Sequence, residues 1–180
     1  MKIERMTEIE TPNIQIGDRL RVGRYTATCQ KITDDGAVFL LDQYLDRAMA
    51  MNRQNTNKGG YDGSELRRAL QSEDILKEFE DIREYMRPWS NGDLLRVPFV
   101  GEMFGDNVLQ WIEPDDCEQW PLMKDTHNRA ASRRGYPEWG WLANRVRDSS
   151  TYFCRVSADG HEDYWYASNV LGVRPAFLIA

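Results

Sequence analysis

The chain is poor in the residues that most often carry chemistry. Its 180 residues include three cysteines and two histidines, and they contain no apolar run long enough to cross a bilayer. Cys29, Cys117 and Cys154 are widely spaced and none sits in a CxxC pair, so a zinc site of the usual spacing is not expected. They read instead as reduced, buried thiols of a protein made in the cytoplasm. His127 stands in the polar run Lys124–Asp125–Thr126–His127–Asn128–Arg129, and nothing in the sequence pairs it with a cysteine nucleophile. Neither GxxxxGK[ST] nor GxGxxG occurs, and Gly59–Gly60 and Gly92 read as loop breakers. Positive charge is also short: 23 Lys and Arg face 29 Asp and Glu, for a net charge of -6. Apart from Arg133–Arg134 and Arg145/Arg147 the basic residues are scattered, which argues against a nucleic-acid partner, since phosphate binding needs clustered positive charge. The opening MKIERMTEIETPNIQIGDRL lacks an apolar signal core, so no signal peptide is expected. Cytoplasmic synthesis is the expectation, with later release or a place in a virion left open. Neither a membrane partner nor a cofactor is expected, and no metal ligand is assigned.

Aromatic residues, in contrast, are abundant: six Trp, eight Tyr and six Phe. Such side chains serve both cores and binding surfaces. The length suits one domain, read as a flexible segment over 1–13 and a single domain over 14–180.

Hydrophobic alternation predicts strands over Arg19–Val22 and Tyr25–Ile32. Asp34–Asp35–Gly36 supplies a hairpin turn, and Ala37–Leu41 reads as a buried strand, completing an antiparallel meander. Residues 42–62 read as loop. Ser64 is placed to cap a helix over 65–70. Ser72 is placed to cap a second, with Ile75, Leu76, Phe79, Ile82 and Met86 at helical spacing up to Pro88. Leu94–Val100 reads as a short strand, Glu102–Gly105 as a helical turn, and no long periodic element is expected over 106–136. Trp111 and Trp120 are expected to anchor a satellite core. Thr151–Ser157 and Glu162–Tyr166 read as strands about a second Asp–Gly turn at Asp159–Gly160, and Val173–Ile179 as a terminal strand. The fold class is α+β: antiparallel sheets, two short helices and long irregular loops.

Two clusters carry most of the local interest. Asp159, Glu162 and Asp163 form an acidic turn that lacks the full alternating pattern of a calcium loop, so a solvated turn is the better reading, as it is for Glu113, Asp115, Asp116 and Glu118. Arg174–Pro175 places a guanidinium inside an apolar run, where it needs partners; a structural arginine bonding loop carbonyls is expected.

Trp141–Leu142, Ser157–Ala158–Asp159–Gly160 and Gly172–Val173–Arg174–Pro175–Ala176–Phe177 together resemble a family of uncharacterised bacterial and prophage domains with a WWLRS…DG…GVRPAF pattern. Ile16–Gly17–Asp18, Phe39–Leu40–Leu41, Leu45–Asp46–Arg47 and Tyr61–Asp62–Gly63–Ser64–Glu65–Leu66–Arg67 resemble its N-terminal half. The chain departs at Trp139–Gly140–Trp141–Leu142–Ala143–Asn144, which lacks the pattern's arginine and serine. The resemblance implies a C-type-lectin-like fold, in the branch shared with formylglycine-generating enzyme and with variable proteins of diversity-generating retroelements. In that fold the two chain ends pair as strands in one sheet, so the N- and C-terminal strands are expected to be paired and Val173–Ile179 would be core, with Trp141, Gly160, Gly172, Arg174, Pro175 and Phe177 as structural positions. The segment before it would be displayed for an unidentified protein or glycan ligand. The ligand-binding positions so implied are Asn144, Arg145, Arg147, Ser150, Tyr152, His161, Asp163, Tyr164, Trp165, Tyr166, Ser168 and Asn169. Alternation alone puts at least one of Tyr164, Trp165 and Tyr166 in the core. The enzymatic branch uses a pair of C-terminal cysteines to activate oxygen through copper; here Cys154 has no second, so no enzyme activity and no catalytic residue are expected. An assembly protein of a phage or surface complex, a calcium-dependent sugar binder using the acidic turn, or a formylglycine-generating-like enzyme remain the alternatives.

Overall fold

The computed structural model describes residues 13–105 and 111–180. The expected flexible segment over 1–13 falls almost wholly outside the described residues. Strands β1 (Arg19–Val22), β2 (Tyr25–Thr33) and β3 (Gly36–Leu41) form the meander that alternation predicts. A short β4 (Met49–Ala50) follows inside the segment read as loop. Helix α1 (Glu65–Leu70) starts at Ser64, whose hydroxyl accepts the Arg67 amide at 3.0 Å.

The second helix is much shorter than its apolar spacing predicts. Helix α2 (Glu73–Leu76) gives way to 3₁₀ turns at Lys77–Phe79 and Arg83–Tyr85, and then to β5 (Met86–Arg87). Ser72 stands at its N-cap but donates its hydroxyl to Ala69 O instead of capping. Leu94–Val100 is not a strand: only Arg96 bridges to Ala176, and helix α3 (Val100–Phe104) begins at Val100. A 3₁₀ turn at Pro121–Lys124 and helix α4 (Thr126–Arg129) precede β6 (Ala131–Arg133) and β7 (Tyr136–Glu138). Strands β8 (Gly140–Arg145), β9 (Tyr152–Val156), β10 (Glu162–Tyr166), β11 (Val170–Leu171) and β12 (Ala176–Ile179) complete the chain. Helix is thus more fragmented than two short helices, but the class is α+β. No helix among the described residues is long and apolar enough to cross a membrane.

The main sheet has the order β1-β2-β3-β12-β5 and is antiparallel throughout. The terminal strand therefore joins the meander's sheet by pairing with β3, Phe177 opposite Phe39, and not with β1. It begins at Ala176, later than Val173, because Pro175 lacks an amide to donate. A second sheet has the order β10-β9-β8, and β11-β4 and β6-β7 are two-stranded ribbons.

Two hydrophobic cores lie on opposite faces of the main sheet. Phe39, Leu41, Phe177 and Ile179 enter the first core; Val38, Leu40, Ala176 and Leu178 enter the second. The second sheet divides the same cores, with Trp141 and Phe153 in the first and Leu142, Cys154 and Val156 in the second. Strands covered on both faces read as unbroken apolar runs, which explains why the chain closes on AFLI. At full burial each such side chain contributes about 1.5–3 kcal/mol.

Candidate functional site

Strand β10 is where the sheet leaves the two cores. The turn before it depends on Gly160, whose φ of +87° is strained for any residue with a Cβ. This turn fixes the hairpin register: Tyr166 faces Tyr152, Trp165 faces Phe153, Tyr164 faces Cys154 and Asp163 faces Arg155. Because β10 has a neighbour on one side only, its side chains stand out on both faces. Tyr164, Trp165 and Tyr166 are 40%, 38% and 40% exposed. None of the three is in the core, contrary to the expectation from alternation, since β10 extends beyond the cores that cover β9.

The face towards the second core carries an aromatic cluster. Tyr152 packs on Tyr166 and Tyr164, with ring centroids 4.7 and 5.1 Å apart, and Tyr164 meets Trp111 edge-on at 4.8 Å. A hydrogen bond with the neighbouring Tyr166 hydroxyl raises the Tyr152 phenol above its ordinary value. The opposite face is built on charge and indole. Arg155 donates Nε and Nη2 to Asp163 Oδ2 at 2.9 and 2.6 Å. Its guanidinium carbon lies 4.4 Å from the Trp165 ring centroid and 5.4 Å from that of Trp139, itself 44% exposed.

The free backbone edge of β10 is partly blunted. Ala167 N donates to Thr151 O, and Ser157 N to His161 O. Antiparallel parity then points the amides and carbonyls of Glu162, Tyr164 and Tyr166 outward. Two of these groups are already taken: Tyr164 N donates to Asp163 Oδ1 at 2.8 Å, and Tyr166 O accepts from Asn169 N at 3.0 Å. Recognition by this strand is accordingly left to its side chains more than to backbone addition.

The structure thus brings Tyr152, Asp163, Tyr164, Trp165 and Tyr166 together. His161 is exposed at the start of the strand, its Nδ1 3.4 Å from Asp159 Oδ2. Ser168 and half-buried Asn169 form the turn after it, and Arg147 and Ser150 are exposed in the β8–β9 connection. Two positions fall elsewhere. Asn144 is buried, its carbonyl accepting the Val100 amide and its amide donating to Glu113 O and Asp115 Oδ2, so it is not displayed. Arg145 is paired with Glu113 at 2.7 and 3.0 Å at the end of β8.

Sequence reasoning omitted three members of the face: Trp111, Trp139 and Arg155. The register set by the Asp–Gly turn would have placed Arg155 opposite Asp163. No local signal joins Trp111 to Tyr164. Trp120, in contrast, is fully buried in the second core.

The structural positions line the cores. Gly140 and Gly172 bridge each other and both lie against the Tyr44 ring; a Cβ on Gly172 would stand 2.6 Å from Tyr44 Cγ. Arg174 is buried and, among the described residues, bonds no carboxylate; it donates to Leu41 O at 2.6 Å and to Asn128 O and Arg129 O at 3.1 and 3.3 Å. Burial pulls its guanidinium below the usual arginine value.

Among the described residues the face holds no nucleophile paired with a base. Burial, with Asp115 and Glu113 nearby, pushes the Cys154 thiol well above its ordinary value. Among the described residues no three His, Cys, Asp or Glu side chains come together as a metal set. What this arrangement can do is stack, donate and accept hydrogen bonds, and present one charge pair. Comparisons with protein-family models, curated proteins and solved structures each return no match for this chain.

Proposed function

We propose that this chain is a non-enzymatic recognition module, with a C-type-lectin-like scaffold, that binds a protein or a glycan through the two faces of strand β10. The observation that carries the reading is the run of consecutive exposed aromatics, Tyr164, Trp165 and Tyr166, on an edge strand whose partner β9 is anchored in both cores. Large rigid rings ordered by their neighbours lose little conformational freedom on binding, and such groups dominate interface energetics. Trp139 and Trp165 flanking the Arg155–Asp163 pair suit an apolar ligand face with polar groups beside it.

Recognition is favoured over calcium-dependent or oxygen-activating chemistry because the groups those would use are otherwise engaged. Asp163 faces Arg155, Asp159 accepts from Ser157 Oγ, and Cys154 is buried. The test is a glycan array and a peptide display library screened with the full chain and with Tyr166→Ala. Binders that lose affinity at least about tenfold to the variant, about 1.4 kcal/mol, support the reading; binders indifferent to it, and to Trp165→Ala, contradict it.

In the retroelement reading, copies of the gene from one source population differ at Tyr152, Asp163, Tyr164, Trp165 and Tyr166 while 172–177 stay fixed; flat variation contradicts that part alone. The same aromatic face also fits an assembly role, as a contact with a second copy. Light scattering separates the two, since assembly predicts a defined oligomer that Tyr166→Ala dissolves.

A further inference from the structure

On the indole side of the β10 face, Arg155 carries more donors than the fold uses. Its side chain is about nine-tenths buried, yet only two of the five N–H groups of a guanidinium are engaged: Nε and Nη2 both donate to one oxygen, Asp163 Oδ2. Nη1 has no acceptor among the described residues. The polar atoms there that are sealed from solvent without a partner are Gln30 Oε1 and Trp89 Nε1, so Nη1 keeps contact with solvent and a guest can reach it. Asp163 has spare capacity too: Oδ1 takes one amide, from Tyr164, and the side chain is 35% exposed.

Two indoles that a guest can touch flank this pair. Trp139 and Trp165 are 44% and 38% exposed, and neither belongs to either core. The Arg155 guanidinium carbon lies 5.4 and 4.4 Å from their ring centroids, which orients both rings about one cation.

The charges of this patch select against charged guests. Asp163 already neutralises Arg155, and Asp159 and Glu162 are exposed on the same hairpin, so an anion meets repulsion. A cation meets the guanidinium. An uncharged guest is left, and it must both accept from Nη1 and donate to Asp163. Within one peptide group the carbonyl and the amide point in opposite directions, so a backbone cannot supply both at one place. A hydroxyl accepts and donates, and two hydroxyls on neighbouring carbons offer both functions side by side. A sugar ring carries such a diol on its rim and C–H groups on its face, which suits an indole. Resting on the reading of β10 as a recognition face, we propose that its ligand is an uncharged glycan. A vicinal diol bridges Arg155 Nη1 and the Asp163 carboxylate, and the sugar rings lie against Trp165 and Trp139.

The test applies the full chain to an array of uncharged and acidic oligosaccharides, before and after periodate, which cleaves the carbon–carbon bond of a vicinal diol, and to the peptide library. Uncharged glycans are expected to bind, and periodate to abolish the binding. Arg155→Lys keeps a cation beside Asp163 but lacks the planar fork. It should weaken glycan binding at least about tenfold, as for lost hydrogen bonds to a charged group, with the melting temperature within a few degrees of the parent. Should Arg155→Lys unfold early, Trp139→Ala, on an exposed ring, carries the comparison with the same expected loss. Peptide binders that depend on Trp165, with no glycan bound, overturn the glycan proposal and leave recognition by β10 standing. Glycan binders indifferent to Trp165→Ala, or no binder of either kind, overturn both. Binding that survives periodate, or unchanged affinity in Arg155→Lys, overturns the diol contact.

Discussion

Arg155 and Asp163 face each other across β9 and β10, with Arg155 Nη2 2.6 Å from Asp163 Oδ2 and the guanidinium 4.4 Å from the Trp165 ring centroid. The pair ties the displayed strand to the buried one. It fixes the pose of Trp165, and through its second oxygen Asp163 also caps an outward amide of the free edge.

Asp163→Ala removes both functions. It leaves Arg155, about nine-tenths buried, without its carboxylate. A loss of about 1–3 kcal/mol is expected, less than for a fully buried pair because Asp163 is partly solvated. The uncapped edge should also raise concentration-dependent association. Chemical denaturation and light scattering measure the two effects; a variant as stable and as monodisperse as the parent would refute this role.

Arg174→Ala and Tyr166→Ala should separate stability from display. Arg174 satisfies three carbonyls from two parts of the chain, Leu41 and the adjacent Asn128 and Arg129. Its truncation strands the Leu41 carbonyl in the interior, leaves the two half-buried ones without their donor, and is expected to cost about 2–4 kcal/mol. Tyr166, 40% exposed, loses ring contacts with Tyr152 and Trp165 and the hydrogen bond between its hydroxyl and Tyr152, all at the surface, an expected cost of about 1 kcal/mol. Thermal melts of the two variants provide the comparison, and equal losses would contradict an exposed face.

Gly172→Ala is expected to destabilise by about 2 kcal/mol or more through overpacking, because its new methyl collides with the Tyr44 ring at 2.6 Å from Cγ. Tyr44→Leu in the same chain should recover part of the loss. A tolerated Gly172→Ala would mean the close approach is not a packing constraint.

Stability should decline on the alkaline side. Burial raises Cys29 from 9.0 to about 11, Cys117 from 9.0 to about 12 and Tyr44 from 10.0 to about 12. In each case the folded chain keeps a proton that the unfolded chain releases. The contribution is therefore whole below about pH 9 and is lost as pH climbs towards 11–12. Denaturation midpoints measured from pH 8 to 11 should fall steadily, and thiol reagents at pH 8 should label buried Cys29 and Cys154 rapidly only after unfolding, whereas Cys117, expected to be buried, is only half-buried. A flat profile would contradict the burial of these groups.

The meander and the C-terminal hairpin were legible because local rules and tertiary structure agree there: alternation marks β1 and β2, and Asp–Gly marks both turns. The helix over 73–86 was misread for a physical reason. Leu76, Phe79 and Ile82 recur every three residues, which suits 3₁₀ turns as well as an α-helix, and all three are buried as their pattern demands. Met86 was then drawn into the main sheet by Ile179, a partner 93 residues away that no local window contains. The display of Tyr164, Trp165 and Tyr166 was legible only as composition. That all three escape the core follows from β10 being an edge, a property of strand order and not of its own residues. Asn144 shows the converse: a polar side chain in an expected site turned inward to hold Val100 and the 113–115 segment.

The most direct test of the account pairs stability with binding in one variant, Trp165→Ala/Tyr166→Ala, against ligands selected from the glycan and peptide libraries. The account predicts that binding is lost while the melting temperature stays within a few degrees of the parent, as for a change of about 1 kcal/mol in a domain of this size. Undiminished binding would place recognition elsewhere on the molecule, and a collapse in melting temperature would show these rings to be core and not display.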